Sequence, residues 1–522
     1  MSTLTLCLLI GCILPLLLYS RRRRLTPPLP PGPPAEPLIG HTRIFPAVHQ
    51  VDVFTKWAAE YGNIFYLKVL GKPIVVLNSF QTVTDLLEKR SAIYSDRADC
   101  TTYSLMGLAS VTALSRYGAQ WRRQRRMLQE PLLAKSCIAH QDMQLREVGL
   151  MLKNILTSSE NSGLAIERLA AGIMMELAYG HEVLSNDDEY IKIGEDATHA
   201  VEAGAAGTSL LDLLPILQHI PPWIPGCSSF TAAVRKWRPA VSRLYDVPFD
   251  AVLAQMNAGT ARRSYTSSHL ERCTQAGDLS DENIHDIKIT AATLLIGGFD
   301  TTWSNLLSFV YAMLLFPDAQ RKAREEIDRV VGSERLPDFS DRADLPYIEC
   351  VLQEVARWHP VFPLGIAHRT IQDDIYDGMF IPKGSLVIPN VTAINRDEKI
   401  YRDPDRFYPD RFLPEPAGYG ETHFSTAFGF GRRICPGRHL ADGTAWLAMT
   451  NILAVFEITN AVGANGEKIV PDIAFRETIT RWATTSLLNV LTSYSRSQPE
   501  PYKCVMVPRS EKAKALILAQ SH

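Results

Sequence analysis

An imbalance of charge is absent from this chain: 54 lysines and arginines face 56 aspartates and glutamates, leaving a formal net charge of -2 over 522 residues. Without a basic field there is no general hold on phosphate backbones, so nucleic acid is not an expected partner. Paired cysteines are absent too. The nine present, Cys7, Cys12, Cys100, Cys137, Cys227, Cys273, Cys350, Cys435 and Cys504, stand at unrelated spacings, which excludes a disulfide framework and points to a reducing compartment. There is no internal repeat. No Gly-x-Gly-x-x-Gly stretch occurs, so a flavin or nicotinamide dinucleotide has no recognisable seat. Apolar residues are plentiful instead, at 46% against 21% charged, enough for a large buried core.

Residues 1–20 read as a membrane anchor. Leu4 to Tyr19 are almost wholly apolar, and Arg21 to Arg24 follow at once. The run is short for a hydrocarbon core of about 30 Å and Pro15 interrupts it, so it requires a thin membrane or a partial tilt. A cleaved signal would carry its positive charges before the apolar run rather than after it. The positive-inside rule places the arginines and all that follows on the cytosolic side; the endoplasmic reticulum is the expected membrane, crossed once. The sequon Asn390-Val391-Thr392 would then stay unmodified. Residues 21–39 form a basic and proline-rich linker, in which Pro27 to Pro37 is a stiff extended spacer.

Alternating apolar residues in Ile64 to Leu70 and Pro73 to Leu77, with Gly71-Lys72 between them, predict a β-hairpin. Gln81 to Arg90 reads as a helix, and long helical patterns dominate thereafter. A second strand region is expected over Ile375 to Val387, with turns at Asp377-Gly378 and Lys383-Gly384. One helix of more than thirty residues should start at Ser280 or Asp281 and break at Pro317.

Near the C-terminal end stands Phe428-Gly429-Phe430-Gly431-Arg432-Arg433-Ile434-Cys435-Pro436-Gly437-Arg438-His439-Leu440-Ala441, one cysteine in a glycine-punctuated loop before an apolar helix. Gly431 and Gly437 allow a turn that a side chain would obstruct, and Pro436 fixes its own φ. The loop can therefore aim one sulfur outward. Most lone cysteines are inert buried thiols, but Phe428, Gly431, Arg433, Cys435 and Gly437 fill every fixed place of Phe-x-x-Gly-x-Arg-x-Cys-x-Gly. Here the chain resembles the cytochrome P-450 family. The resemblance implies a mainly α fold with a small β region, a triangular helical domain over residues 40–522 that holds haem between a long central helix and the cysteine loop. It implies haem b with Cys435 as axial thiolate, a ligand that favours O–O cleavage.

The likeness extends to other stretches. Trp121 and Arg125, four apart on one helical face, match a pair that donates to a haem propionate; Arg122, Arg123 and Arg126 are left to form a surface for an acidic reductase. His368 and Arg433 are further expected propionate partners. Glu354 and Arg357 share a helical face and, with Arg411, match the family's structural clamp beneath the cysteine loop. Arg411 is preferred to Arg406 because Phe407-Tyr408-Pro409-Asp410-Arg411-Phe412 fits the fuller pattern.

In the long helix, Ala291 to Ile296 is apolar up to Gly297-Gly298, and Asp300-Thr301-Thr302 follows. Two glycines inside a helix cost about 1 kcal/mol each relative to alanine, and a buried aspartate adds desolvation. From the residues alone, a packing notch with an ion-paired aspartate explains this as well as a functional role does. The match to Ala/Gly-Gly-x-Asp/Glu-Thr-Thr/Ser implies more: glycines that open a groove beside haem, Thr301 as hydrogen-bond partner of dioxygen, and Asp300 as proton relay.

The implied reaction is monooxygenation, with electrons from NADPH delivered indirectly by a membrane-bound cytochrome P-450 reductase and with cytochrome b5 as a second candidate donor. Substrate-facing candidates are Cys100 to Thr112, the face at Thr293, Leu294 and Gly297, Val361 to Ile366, and the turn Val490-Leu491-Thr492. They are mostly apolar, so a lipophilic, membrane-fed small molecule is expected. Likeness to fungal enzymes of secondary metabolism makes a terpenoid the leading substrate, with a polyketide or indole as alternatives. A haem-thiolate isomerase or dehydratase that uses no dioxygen is a rival reading, opposed by the intact Asp300-Thr301 pair. A non-catalytic haem or lipid binder is another.

Overall fold

The alternating run after residue 63 does form a hairpin. In the computed structural model, β1 (Ile64–Val69) pairs antiparallel with β2 (Lys72–Leu77), Ile64 opposite Leu77 and Val69 opposite Lys72. The turn is Leu70-Gly71, one residue earlier than expected, with φ of 46° and 84°. A two-residue hairpin turn needs two consecutive positive φ angles, and Gly71 supplies the second without strain. Of four further short strands, β3 (His368–Arg369) precedes the expected second region, while β4 (Asp374–Tyr376), β5 (Met379–Ile381) and β6 (Leu386–Pro389) fall around it. The main sheet has the order β1-β2-β6-β3, with β6 parallel to β2.

The described residues are 27–46, 49–158, 162–204, 210–221, 224, 231–462, 465, 467–469, 475–478, 496–499 and 502–520. The expected anchor and the turn at Val490 lie outside them. Among the described residues no helix is long and apolar enough to cross a membrane.

Both faces of the main sheet are covered. Phe65, Leu67, Ile74 and Val76 pack with Phe54 of α1 (Gln50–Tyr61). Tyr66, Val75 and Leu77 face the other way, toward Leu87 and Phe430. The second cluster ties the cysteine loop to the sheet. The proline-rich segment is extended, as expected, but it is seated on the sheet rather than spanning free space: Tyr66 N donates to Pro31 O at 2.8 Å and Phe380 N to Pro28 O at 2.7 Å. A Cβ on Gly32 would lie 2.3 Å from Tyr66 O, so only glycine permits this approach.

The helices that build the site are α2 (Ala119–Gln129), α3 (Gln141–Thr157), α4 (Ser162–Tyr179), α5 (Glu189–Ala203), α6 (Ala232–Ala258), α7 (Asp281–Leu315), α8 (Pro317–Val330), α9 (Pro346–Trp358) and α10 (Arg438–Val455). The expected long helix is α7, 35 residues with Ser280 at its N-cap position, though the Ser280 side chain makes no capping hydrogen bond, and with Asp281 and Glu282 in its first turn, where negative charge suits the dipole. It stops before Pro317 because a residue preceding proline is pushed out of the helical region; Phe316 sits at φ -124°, ψ 71°. Leu294, Leu295 and Phe299 of α7 share one core with Leu169 and Ile173 of α4 and Trp446 of α10. Near the C-terminal end, β7 (Phe456–Asn460) pairs with β10 (Cys504–Pro508), and β8 (Phe475–Thr478) with β9 (Arg496–Pro499). The architecture is mainly α with small sheets, as the sequence implied.

Candidate active site

The cysteine loop is a chain of tight turns. Gly429 and Gly431 have φ of 74° and 56°, and a Cβ on Gly431 would sit 2.0 Å from Leu87 O, so this glycine is required by both conformation and space. Gly437 differs from expectation. Its φ is -83° and a side chain there would meet only Cys435 Sγ, at 3.9 Å; its bareness clears the sulfur's flank rather than shaping the turn. Cys435 N donates to Phe428 O at 2.8 Å, closing the loop. The thiol lines a cavity of about 480 Å³. Burial pushes its pKa up, while the Gly437 backbone amide, Arg125 and Arg438 pull the other way.

Beneath the loop lies a buried ion cluster. Arg357 grips Glu354 with two bonds, Nε to Oε2 at 2.7 Å and Nη2 to Oε1 at 2.8 Å. Arg411 Nε adds a third to Oε1 at 3.1 Å. Arg411, not Arg406, is the third member; Arg406 is exposed and lies over Tyr408 at 5.1 Å. Two partners had no sequence signal. Glu421 accepts from Arg411 Nη1 at 2.7 Å, and Asn395 donates to Arg357 O at 3.0 Å while accepting from Thr426 Oγ1 at 2.7 Å.

Arginines and two further hydrogen-bonding side chains line the cavity together. Trp121, Arg125, His368 and Arg433 all line it, and so does Arg97, which the sequence did not flag because no motif surrounds it. His368 is buried, with Nδ1 2.8 Å from Tyr94 O. Arg433 commits Nε, Nη1 and Nη2 to the carbonyls of Ser95, Thr112 and Ser115 and stacks 4.4 Å above Trp121. It thus clamps the loop over residues 112–115 as well as lending its charge to the cavity. Burial, with Arg97 next, pushes its pKa down to about 8. Burial also lowers that of Arg125, from which no described residue accepts a hydrogen bond. Buried Arg97 and half-buried Arg125 and Arg433 on the same cavity as a thiol fit an iron porphyrin, whose carboxylates these guanidiniums would hold and whose iron Cys435 would ligate.

On the opposite wall the two glycines of α7 do different work. A Cβ on Gly297 would meet nothing within 4 Å, whereas one on Gly298 would strike Met174 Sδ at 2.0 Å. Gly297 faces open cavity; Gly298, though it lines the cavity, is bare so that α4 can approach. Thr301 Oγ1 donates to Gly297 O at 2.7 Å, leaving its lone pairs to accept. Asp300 is buried, and behind it on α4 stands buried Glu167, whose carboxyl is raised to about 7 by burial, then by Glu195 and Asp300.

Only part of the segments expected to face substrate lies on the cavity. Val111, Thr112, Thr293, Leu294, Val361 and Ile366 line the cavity, but Cys100, Tyr103 and Met106 pack with α5 and α6 instead. The basic stretch of α2 divides as well. Arg123 is bound to Asp286 and Glu282 of α7 and so is not free for a partner protein, whereas Arg122 and Arg126 are exposed.

A family model for cytochrome P-450 matches residues 30–475. The chain is 37% identical over 513 residues to cytochrome P-450 monooxygenase 136 of Postia placenta, covering 97% of this chain and 93% of that one. It is 36% identical over 528 residues to a cytochrome P-450 monooxygenase of Armillaria gallica, covering 99% of each. Monooxygenase 176 of Postia placenta is 36% identical over 498 residues, with 94% and 92% covered.

Two outcomes are expected. Arg411→Ala strands buried Glu421 without its counter-charge and leaves Glu354 with Arg357 alone, and should cost about 3–5 kcal/mol in urea unfolding, against less than about 1 kcal/mol for Arg406→Ala; equal losses would reverse the assignment. Glu167 holds its proton in the folded state up to about pH 7 but loses it in the unfolded state near its ordinary value. Its contribution to stability therefore falls as pH rises through that interval and levels off above it. Glu167→Gln should flatten this decline when unfolding is compared at acidic and mildly alkaline pH, and an unaltered slope would assign the decline to other groups.

Proposed function

This chain belongs to the cytochrome P-450 family, and from that premise we propose that it oxidises a lipophilic secondary metabolite, a terpenoid ahead of a polyketide or indole, at the endoplasmic reticulum membrane. The family's reaction is monooxygenation: a substrate C–H, dioxygen, two electrons and two protons give C–OH and one water. Haem held by Cys435 supplies the dioxygen chemistry when bound. The chain's own residues do the rest. Trp121, Arg125, Arg97 and His368 receive and orient the carboxylates, Gly297 leaves room above, and Thr301 and Asp300 hold and pass protons.

The observation that carries the substrate class is the character of the cavity wall. Val111, Leu114, Val201, Ile296, Val361 and Ile366 are aliphatic, with Phe362 an aromatic side chain beside them, a mostly aliphatic surface that suits a saturated, branched skeleton. A separate reductase is supported by the exposed cations near the cysteine loop, where Arg122 and Arg432 each lie 5.7 Å from the ring of Tyr117. Such a patch would attract an acidic partner.

Co-expression with a reductase in yeast, followed by a panel of terpenoids, polyketides and indoles, should give oxidised terpenoid with consumption of NADPH and oxygen. Product from the aromatic compounds alone would overturn the terpenoid assignment. Thr301→Ala should keep its haem yet yield about tenfold less product per NADPH consumed; undiminished coupling would remove Thr301 from proton delivery.

A further inference from the structure

The carboxyl of Glu167 is buried on α4 without a hydrogen bond or ion pair to any described residue. The adjacent Arg168 is engaged elsewhere, its Nη1 donating to Glu147 Oε2 at 3.0 Å and its Nη2 to Val183 O. What Glu167 faces follows from the helix packing, for α4 runs antiparallel to α7. Trp303 Nε1 donates to Gly163 O at 3.1 Å, and a Cβ on Gly298 would strike Met174. Positions 163, 167, 170 and 174 fall on one helical stripe, so Glu167 lies against the stretch of α7 between Gly298 and Trp303, which carries Asp300. Ala170 and Met174 of that stripe line the cavity, as Asp300 does. Helix α5 closes the remaining side. A Cβ on Gly194 would lie 3.2 Å from Phe299 Cδ1, which sets the exposed Glu195 beside the same stretch. Three carboxyl groups from three helices thus lead from solvent to the cavity. A buried carboxyl without a donor or a cation is stable only with its proton on. Burial first, then Glu195 and Asp300, raise the pKa of Glu167 to about 7.

We propose that Glu167 is the reservoir from which Asp300 recovers the protons it passes toward Thr301, and that Glu195 refills it from solvent. This rests on the reading of Asp300 and Thr301 as the proton-passing pair and adds the source behind them. Each transfer balances. The Glu167 O–H bond breaks as an O–H bond forms on the Asp300 carboxylate, and the negative charge moves to Glu167. A proton from water, received by way of Glu195, then restores the acid. No electron moves in these steps. Monooxygenation consumes two protons, so the cycle runs twice per turnover. A reservoir must hold its proton at working pH and still release it readily, which a carboxyl poised near neutrality does and one ionised at its ordinary pKa does not. An amide or an apolar side chain would fill the same place at no electrostatic cost, but it would have no proton to give.

The test uses the full-length haem-loaded protein in two measurements. Infrared difference spectra between the wild type and Glu167→Gln isolate the C=O stretch of the protonated Glu167 carboxyl, which should titrate with a midpoint near pH 7. Asp300→Asn removes a neighbouring negative charge and should move that midpoint to lower pH; this arm holds whatever the haem content of a variant. In the second, a cytochrome P-450 reductase and NADPH are supplied without added substrate, and peroxide released per NADPH consumed counts the oxygen that leaves before its bond is cleaved to water. The wild-type yield should rise as pH passes through about 7, where Glu167 loses its proton. In Glu167→Gln it should be about twofold higher at mildly acidic pH and flat across that interval. Asp300→Asn should raise it as much, and the double variant no further than either alone, since the two act in series. A Glu167→Gln yield that matches the wild type while Asp300→Asn raises it, increases that add in the double variant, or an unmoved infrared midpoint overturns the reservoir and leaves the Asp300–Thr301 reading standing. A yield raised by neither Asp300→Asn nor Thr301→Ala overturns both.

Discussion

Cys435 has to become an anion where burial favours the neutral thiol. That constraint organises the rest of the protein. The loop offers partial relief through the Gly437 amide and the charges of Arg125 and Arg438, and α10 begins three residues later, adding the positive end of a helix. These groups lower the cost of the thiolate without removing it. A coordinated metal cation completes the deprotonation, so the sulfur is useful only if its position is fixed before the iron is bound.

Rigidity comes from below, through connections that can be followed bond by bond. The Glu354–Arg357–Arg411–Glu421 cluster is almost wholly dehydrated. Burying so many charges is poor economy for stability alone, because an apolar replacement of equal volume can do as well. The cluster does define position. Arg357 Nη1 holds Asn395 O at 2.9 Å, the Asn395 side chain holds Thr426, and two residues on, Phe428 O receives the amide of Cys435. From α9 to the sulfur the path runs through directional hydrogen bonds, and a displacement at the ions would be felt at the loop.

The features legible in the sequence were those whose chemistry is written into a few adjacent residues. Cys435 with its glycines, the Glu354-x-x-Arg357 pair and the Gly297 to Thr302 stretch each sit on one element, so spacing alone places them together. Arg411 could be separated from Arg406 because a six-residue pattern surrounds it. What failed to show was of two kinds. Arg97, Glu421 and Asn395 act through backbone carbonyls or through a partner far along the chain, and nothing local marks them. The separate duties of Gly297 and Gly298 depend on which way each missing Cβ would point, and Met174, the residue that decides this for Gly298, lies more than a hundred positions away. The docking of the proline-rich segment was hidden for a similar reason, since an extended segment without internal hydrogen bonds looks the same in sequence whether it spans solvent or lies on a strand.

This division separates chemistry from selectivity. The thiol of Cys435 and the proposed proton-moving pair Asp300-Thr301 each sit in a continuous motif, because each depends on the fixed geometry of one loop or helix. The substrate wall is assembled from the segment after α1's sheet, from α5, from α7 and from the stretch after α9, each giving a few aliphatic side chains of no distinctive pattern. Such a wall can change one residue at a time without disturbing the sulfur or the ion cluster.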